Sequence, residues 1–398
     1  MSLDLNKVAP QVGQMIGRLR AGLAQRQERL NSALGLMRQA GSDLEALKKK
    51  IEQSKTTWLV AGLSDGIDHR YSPSSIPADF AVLATDGSHI EIDRHQAVRC
   101  FLLNISHVIL RYGSQPEAVL ESFPHLYADD NELVVSPPEG QGREQFIEGN
   151  LLGAKRSVEE CRHLADLAAT MPEGVPSVAL LDGTLMLWGL EPYPDFVTAM
   201  LLDKGLVREF DRLFRMSRNK RLAFGSYISA PRSTDVVNAL RVSVCPLEAA
   251  NCDHCPAAGR DRCDSLAGLT DAQLFFDVLA PGERSDVFSS RSKIVKEHYL
   301  EHAINFFYLR LDDEVARVEI PQWVSGDKAL LEQIHCLVLD QCWRGQGYPV
   351  ALSEAHEQAV VTGADRQNFW QLVEAGLVEE DLPTPTTGKS RSKRTRWV

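Results

Sequence analysis

The sequence contains no apolar run long enough to cross a bilayer and no segment with the Walker A spacing of a nucleotide-binding loop. Residues 1–4 lack the pattern of a signal peptide, so we expect a cytoplasmic protein. Eight cysteines among 398 residues are too few for a disulfide framework and indicate thiols or metal ligands. Hydrophobic residues make up 44% and charged residues 24%, which is typical of a globular protein with an ample core.

The chain also lacks an excess of basic residues: its net charge is −11, which is unfavourable for binding nucleic acid. An enzyme can nevertheless concentrate Lys and Arg in one channel while its outer surface stays acidic. Residues 389–398 carry five basic groups and no acid, so we predict a basic disordered tail over 381–398. Charge alone therefore decides neither for nor against a nucleic-acid substrate.

Periodicity predicts two structured regions. Between residues 8 and 54, apolar side chains mostly lie three or four positions apart, which indicates a long helix or a helical hairpin broken near 40–43. We expect 1–77 to form a coiled-coil-like helical arm and linker, which either dimerises or packs on its own domain. The region 78–380 alternates strands with helices, which predicts an α/β domain with a mixed sheet flanked by helices.

Residues 303–323 predict a β-hairpin that turns at Asp312 and Asp313. Arg317 and Glu319 share one face of its second arm and are predicted to pair at the surface. Glu319 is kept as a reserve candidate for an acidic site residue.

Two short segments share one pattern, an apolar strand followed by Asp-Gly and a hydroxyl residue. They are 81–88, which contains Asp86, and 178–184, which contains Asp182. If the two strands are neighbours in one sheet, both carboxylates lie at the same edge, where a divalent cation would offset their repulsion. That arrangement is typical of metal-assisted phosphoryl chemistry. The alternative is that both are ordinary β-turns, because Asp-Gly is a common turn dipeptide.

A third motif lies near the C-terminus, where Tyr348 precedes Pro349 and His356 follows eight residues later in a predicted helix. A histidine can bind a metal or transfer a proton near neutral pH, and the tyrosine hydroxyl could bind a phosphate or order a water. The alternative is a capped helix with an exposed histidine.

Four of the eight cysteines lie within nineteen residues, in an insertion over about 243–270 that has no core periodicity. They are Cys245, Cys252, Cys255 and Cys263. One Cys-x-x-Cys pair with two flanking cysteines fits a tetrathiolate site for zinc or an iron–sulfur cluster. The alternatives are free thiols or a redox pair. The other four cysteines sit in apolar settings and are expected in the core.

Taken in order, these motifs resemble the NurA nuclease family: a strand ending at Asp86, a helix with a Glu, a strand ending at Asp182, then Tyr348 and His356. The similarity covers about 80–373. It implies an RNase H-like fold, a homodimer around a central channel, a divalent cation (typically manganese) and DNA cleavage. It also implies a role in end resection alongside a hexameric HerA-type ATPase.

The resemblance further implies catalytic roles for Asp86, Asp182, Tyr348 and His356. The family also uses a Glu on the helix before the second strand, and this helix offers Glu159 and Glu160. Neighbours on a helix face about 100° apart, so at most one can point at the site, and we favour Glu160. Carboxylate oxygens suit Mg²⁺ and Mn²⁺, and a histidine favours Mn²⁺, so Asp86, Asp182 and His356 are the expected metal ligands.

The sequence therefore predicts a Mn²⁺- or Mg²⁺-dependent deoxyribonuclease, a 5′–3′ exonuclease and/or a single-strand endonuclease, acting on DNA double-strand breaks with a HerA-type translocase. The alternative is a non-catalytic assembly protein that docks an ATPase through its helical arm and cysteine cluster. A phosphoesterase for small molecules is a third hypothesis. The polarity of cleavage and the metal at the cysteines are not determined by the sequence.

Overall fold

The computed structural model describes residues 3–92, 98–138, 142–255 and 262–382. The chain divides into two compact units that interleave along the sequence. Unit 1 contains Met1–Ser72, Ser229–Ser292 and Asn305–Arg317, and unit 2 contains Pro73–Ile228, Lys293–Ile304 and Val318–Val398. Within the described ranges, no helix is both long and apolar enough to span a bilayer.

The helices are numbered in chain order over the described residues. They are α1 (Leu5–Ser42), α2 (Leu44–Gln53), α3 (Asn150–Thr170), α4 (Asp195–Thr198), α5 (Arg208–Lys220), α6 (Asp235–Ser243), α7 (Asp271–Val278), α8 (Gln322–Ser325), α9 (Lys328–Arg344), α10 (Val350–Ala359) and α11 (Gly363–Glu379). Short 3₁₀ turns cover Trp188–Leu190, Cys252–His254 and Leu300–His302, and π-helical segments cover Ala199–Val207 and Val295–Tyr299.

The strands are numbered in the same way. They are β1 (Gly62–Leu63), β2 (Arg70–Tyr71), β3 (Phe80–Thr85), β4 (Gly87–Ile90), β5 (Phe101–Tyr112), β6 (Glu117–Tyr127), β7 (Val134–Val135), β8 (Gln145–Phe146), β9 (Ser177–Asp182), β10 (Leu222–Ile228), β11 (Arg284–Ser285), β12 (Phe288–Ser289), β13 (Ile304–Arg310) and β14 (Val315–Pro321).

Unit 1 is built on the long N-terminal helix. The predicted break is confirmed, because α1 ends at Ser42 and α2 begins at Leu44. The second half of α1 packs with α2, α6 and α7 around an apolar core that includes Met37 and Leu240. Residues 9–28 of α1 are all exposed. Short antiparallel strands β1, β12 and β13 lie side by side in the same unit.

Unit 2 is built on a mixed sheet with helices on it. Strand β5 pairs antiparallel with β3 and β4 along one edge and with β6 along the other. Strands β3, β9 and β10 are parallel neighbours, and β14 lies beside β10 in the strand order. All six residues of β3 are buried, as expected for a strand covered on both faces.

Two helices hold the parallel strands in place. Helix α3 packs on the sheet through a core that includes Leu164 and Leu83. On α9, the Gln333 side chain donates to the carbonyls of Ser177 and Arg221, at 2.8 and 2.7 Å, and so ties the beginnings of β9 and β10 together. The predicted α/β fold, with a mixed sheet flanked by helices, is therefore confirmed.

Some sequence expectations differ from the structure. The predicted hairpin forms as β13 and β14. Arg317 and Glu319 are only 5% and 1% exposed, however, so the prediction that they pair at the surface was wrong. Arg317 instead pairs with Asp235, at 2.8 Å, in unit 1. Unit 1 combines Met1–Ser72 with Ser229–Ser292 and Asn305–Arg317, whereas the sequence placed the last two segments in the 78–380 domain. The domain bounds stay a prediction. The predicted tail lies almost wholly outside the described residues.

Unit 1 contains a fully buried acid, Asp271, at the start of α7. Its carboxylate accepts from the backbone N–H groups of Val236 and Val237, at 3.1 and 2.8 Å, and from the Tyr308 hydroxyl, at 2.6 Å. Burial, with a further contribution from the Asp235 charge, raises the pKa of Asp271 to about 7. The folded protein therefore holds a proton that the unfolded chain loses near pH 4.

This raised pKa predicts how stability depends on pH. Its contribution is fully present below the unfolded pKa of 3.8 and is lost as pH rises through about 7. The free energy of unfolding should fall by at most about 1.4 kcal/mol per pH unit in that window. Denaturant melts of wild type and Asp271→Asn between pH 4 and 8 test this. The slope should flatten in Asp271→Asn and persist in Asp277→Asn, an exposed control on the same helix; parallel slopes in all three proteins would contradict it.

Candidate active site

Two aspartates lie side by side at one edge of the sheet in unit 2. Strands β3 and β9 are parallel, with Thr85 opposite Leu181, so the next residues, Asp86 and Asp182, lie at the same end of the two strands. Gly183 has a φ of +82°, a conformation that glycine adopts without strain. The matched Asp-Gly segments are therefore neighbouring strands, as the sequence pattern predicted.

His356 reaches this edge from α10. Its Nδ1 lies 2.9 Å from the Asp86 carboxylate, and the imidazole is 64% exposed. The end of α10 is tied to the sheet because the Asn104 amide of β5 donates to the Ala359 carbonyl at 2.9 Å. The backbone N–H of Asp86 donates to the Ser106 hydroxyl, also on β5, at 3.0 Å. One strand thus positions both members of the Asp86–His356 pair.

Glu160 approaches the aspartates from α3. Its side chain is buried, with the Arg156 Nε 3.0 Å from its Oε1. Burial, together with the charges of Asp86 and Asp182, raises the pKa of Glu160 to about 8, although Arg156 opposes the rise. Its neighbour Glu159 pairs with Lys155, at 2.7 Å, and with Arg162. Glu160 rather than Glu159 therefore faces the two aspartates.

Tyr348 completes the group. Its hydroxyl donates to Asp182, and burial together with this carboxylate raises the pKa of Tyr348. Its ring packs edge-on against Tyr227, with ring centroids 5.5 Å apart. Asp182 is exposed at the sheet edge, yet the surrounding protein partly desolvates its carboxyl group and so raises its pKa. The negative charge of Asp86 raises this pKa as well.

The five side chains predicted from the sequence thus meet at one edge of the sheet. The family profile of the NurA domain matches residues 80–361. The chain belongs to the NurA family. That is a nuclease family, and the matched residues contain Asp86, Glu160, Asp182, Tyr348 and His356.

Solved structures show weaker similarity. A crystal structure of NurA with manganese aligns at 11% identity and a TM-score of 0.34, covering 85% of this chain and 96% of that one. Two Argonaute structures from Aquifex aeolicus align at 12% and 14% identity, with TM-scores of 0.27 and 0.25. They cover 74% and 72% of this chain and 30% and 28% of theirs. No curated protein matches the chain.

A further acid supports the second aspartate of this NurA domain. Glu319 of β14 is 1% exposed and accepts from the Thr184 hydroxyl at 2.8 Å and from the Leu185 N–H at 2.9 Å. It therefore anchors the turn that follows Asp182. The sequence indicated only an acid on a hairpin arm, because the partner turn lies more than a hundred residues away.

The donor set fits a divalent cation. The Oε1 atom of Glu160 is buried and has no hydrogen-bond donor of good geometry among the described residues. A cation at the sheet edge would compensate that oxygen and the two aspartate charges. The carboxylates of this site do not, however, form a group of three ligand atoms within 4.8 Å in the described chain.

The four clustered cysteines lie in unit 1. Cys252 is on a 3₁₀ turn, and residues 256–261, within the predicted insertion, are outside the described residues. Among the described side chains, no three of the four sulfurs lie within 4.8 Å of one another. The tetrathiolate site therefore stays a prediction. The other cysteines are buried, as expected: Cys100, Cys161, Cys336 and Cys342.

Gly87 gives a test of the site's packing. A Cβ at this position would lie 2.7 Å from Glu160 Oε1 and 2.8 Å from Ile105 Cδ1. Gly87→Ala should displace Glu160 and lower Mn²⁺ affinity at least tenfold, with about 1–3 kcal/mol of lost stability. Calorimetric Mn²⁺ titration and thermal melting measure the two effects. The control is Gly153→Ala on α3, where a Cβ meets nothing within 4 Å; equal Mn²⁺ affinity in both variants would contradict the packing.

Proposed function

We propose that this chain is a divalent-metal-dependent deoxyribonuclease of the NurA family. Its activity would be that of a 5′–3′ exonuclease and/or a single-strand endonuclease, used in DNA end resection. The single observation that carries the proposal is the convergence of Asp86, Glu160 and Asp182 at one sheet edge beside Tyr348 and His356. Three acids gathered around one point are unfavourable for a scaffold, because each carboxylate raises the free energy of ionising the others.

We assign the cation to Asp86, Asp182 and His356, with Mn²⁺ or Mg²⁺ as the ion. When bound, the cation would activate a water and neutralise charge on the leaving oxygen of a phosphodiester. His356 is held by Asp86 Oδ2 through Nδ1 at 2.9 Å, so its other ring nitrogen remains to bind the cation. The Tyr348 hydroxyl fixes the orientation of Asp182. Glu160 holds a proton near neutral pH until positive charge arrives.

The strand order supports an RNase H-like sheet. Strand β6 pairs with β5, β5 pairs with β3 and β4, and β9 and β10 follow as parallel strands. Three antiparallel strands followed by two parallel strands place the ends of β3 and β9 together at the centre of the sheet. In this arrangement the acids come from the two central strands and from the helix α3 packed on them.

The proposed assembly is a homodimer that works with a hexameric HerA-type translocase. Family membership supports both partners, and the absence of a Walker A spacing means that unwinding energy would come from the translocase. The exposed residues 9–28 of α1 are a suitable contact for one of these partners. Independently, we propose zinc or an iron–sulfur cluster at Cys245, Cys252, Cys255 and Cys263.

The nuclease activity is tested on end-labelled single- and double-stranded DNA with Mn²⁺, Mg²⁺ or EDTA. Wild type should cleave only with metal, and Asp86→Asn should lose at least a hundredfold in rate because it removes a charged ligand. The control is Asp79→Asn, at the other end of β3, where the carboxylate accepts from the Ser114 N–H and hydroxyl. If wild type and Asp86→Asn are equally inert, with and without the translocase, the chain is a scaffold.

The identity of the third acid is tested with two adjacent variants. Glu160→Gln removes a carboxylate that faces Asp86 and Asp182, so cleavage should fall at least tenfold with little change in melting temperature. Glu159→Gln weakens the ion pairs with Lys155 and Arg162 and should keep most activity. The cleavage rate at saturating Mn²⁺ measures both. Greater loss in Glu159→Gln would reverse the assignment.

A further inference from the structure

A second group of metal-binding side chains lies in unit 2, outside the candidate active site. Asp211 is on α5, and Glu301 and His302 are on the 3₁₀ turn Leu300–His302. One ligand atom from each lies within 4.8 Å of the other two, and over the described ranges this is the one group of three that meets the distance. Ligands about 2.0–2.2 Å from a single ion are at most about 4.4 Å apart, so small side-chain shifts would bring these three atoms to binding distances.

The histidine of this group is held firmly in the core. His302 is 1% exposed, and its ring lies edge-on to Phe210 and Phe214, with centroid separations of 6.0 Å. Its Nε2 lies 2.9 Å from Asp211 Oδ1. Its Nδ1 is buried and has no hydrogen-bond partner among the described residues. Both nitrogens of a buried imidazole usually have hydrogen-bond partners, whereas the polar contact found for this ring is the one from Nε2 to the Asp211 carboxylate.

The two carboxylates carry the negative charge of the group and expose it to solvent. Asp211 is 37% exposed at its side chain, and Glu301 is exposed. The group is therefore closed by aromatic rings around His302 and open to solvent beside Glu301. One imidazole and two carboxylates, with room for water, suit a divalent first-row transition ion.

We propose that Asp211, Glu301 and His302 bind a divalent first-row transition ion such as Mn²⁺, Co²⁺ or Zn²⁺. The ion ties the 3₁₀ turn to α5 and does not depend on the candidate active site. In forming the site, His302 binds the ion through Nε2 in place of its hydrogen bond to Asp211, and the proton of the neutral ring is then carried on Nδ1.

The same segment supplies a matched control. His298 Nδ1 lies 2.9 Å from Asp203 Oδ1, the same separation as in the His302–Asp211 pair. That pair is not in a group of three ligand atoms within 4.8 Å in the described part of the chain. Glu297 is exposed, like Glu301, and lies four residues before it. Asp203→Asn and Glu297→Gln therefore repeat the chemical changes of Asp211→Asn and Glu301→Gln without removing a ligand.

The amount of bound Co²⁺ gives the number of metal sites, and its absorption spectrum shows which of them have thiolate ligands. Full-length protein stripped with chelator is dialysed against Co²⁺, whose thiolate complexes are distinguished by their near-ultraviolet absorption. Wild type should bind one more non-thiolate Co²⁺ than Glu301→Gln or Asp211→Asn, and both control variants should match wild type. Co²⁺ should also raise the melting temperature of wild type more than that of Glu301→Gln, because binding stabilises the native state.

The outcomes separate this site from the others. Equal Co²⁺ stoichiometry in wild type, Glu301→Gln and Asp211→Asn would overturn the proposal. Because Glu301 is exposed, Glu301→Gln should fold normally, which circular dichroism without metal verifies. Asp86→Ala should retain the ion at Asp211 whether or not the nuclease assignment holds. Anomalous diffraction from a Co²⁺-soaked crystal should place an ion between Asp211 and His302, and a peak only at Asp86 would contradict the site.

Discussion

The gathering of three carboxylates at one sheet edge is the constraint on which the rest of unit 2 depends. Parallel pairing of β3 and β9 brings Asp86 and Asp182 together, and α3 adds Glu160 from above the sheet. The repulsion appears in the pKa of Glu160, which burial and the two aspartates raise to about 8. Arg156 and the Tyr348 hydroxyl offset part of this charge, and a cation would offset the remainder.

The scaffold that carries this edge depends on contacts between segments far apart in sequence. Strand β5 pairs with β3, bonds to Asp86 through Ser106, and holds the end of α10 through Asn104. Because β5 makes all three contacts, the separation of Asp86 and His356 is set by one rigid strand. Glu319 holds the turn after Asp182 in place by accepting a hydrogen bond from Thr184. The three acids therefore come from the ends of two buried strands and from a helix packed on them.

Local pattern predicted the elements that carry the candidate site, and the family resemblance added its helix glutamate, tyrosine and histidine. Apolar strands ending in Asp-Gly predicted that Asp86 and Asp182 would be neighbours, because parallel strands end at a common edge. Pattern could not distinguish Glu159 from Glu160, since the rotation of α3 depends on packing with the sheet. It also misplaced Glu319, whose partner is the distant turn at Thr184. Periodicity likewise showed that the N-terminal helices have an apolar face, but it could not show what that face packs against. Its partner is in the same unit, in residues after 229.

The two candidate metal groups differ in charge and in burial. At Asp211, one buried imidazole accompanies two carboxylates, and the three ligand atoms lie within 4.8 Å of one another. At the sheet edge, three acids meet beside an exposed histidine, and Arg156 offsets only part of their charge. A group anchored on a buried imidazole suits an ion that supports the fold. An acidic group beside an exposed histidine suits an ion that is shared with a substrate phosphate, which is what phosphodiester cleavage requires.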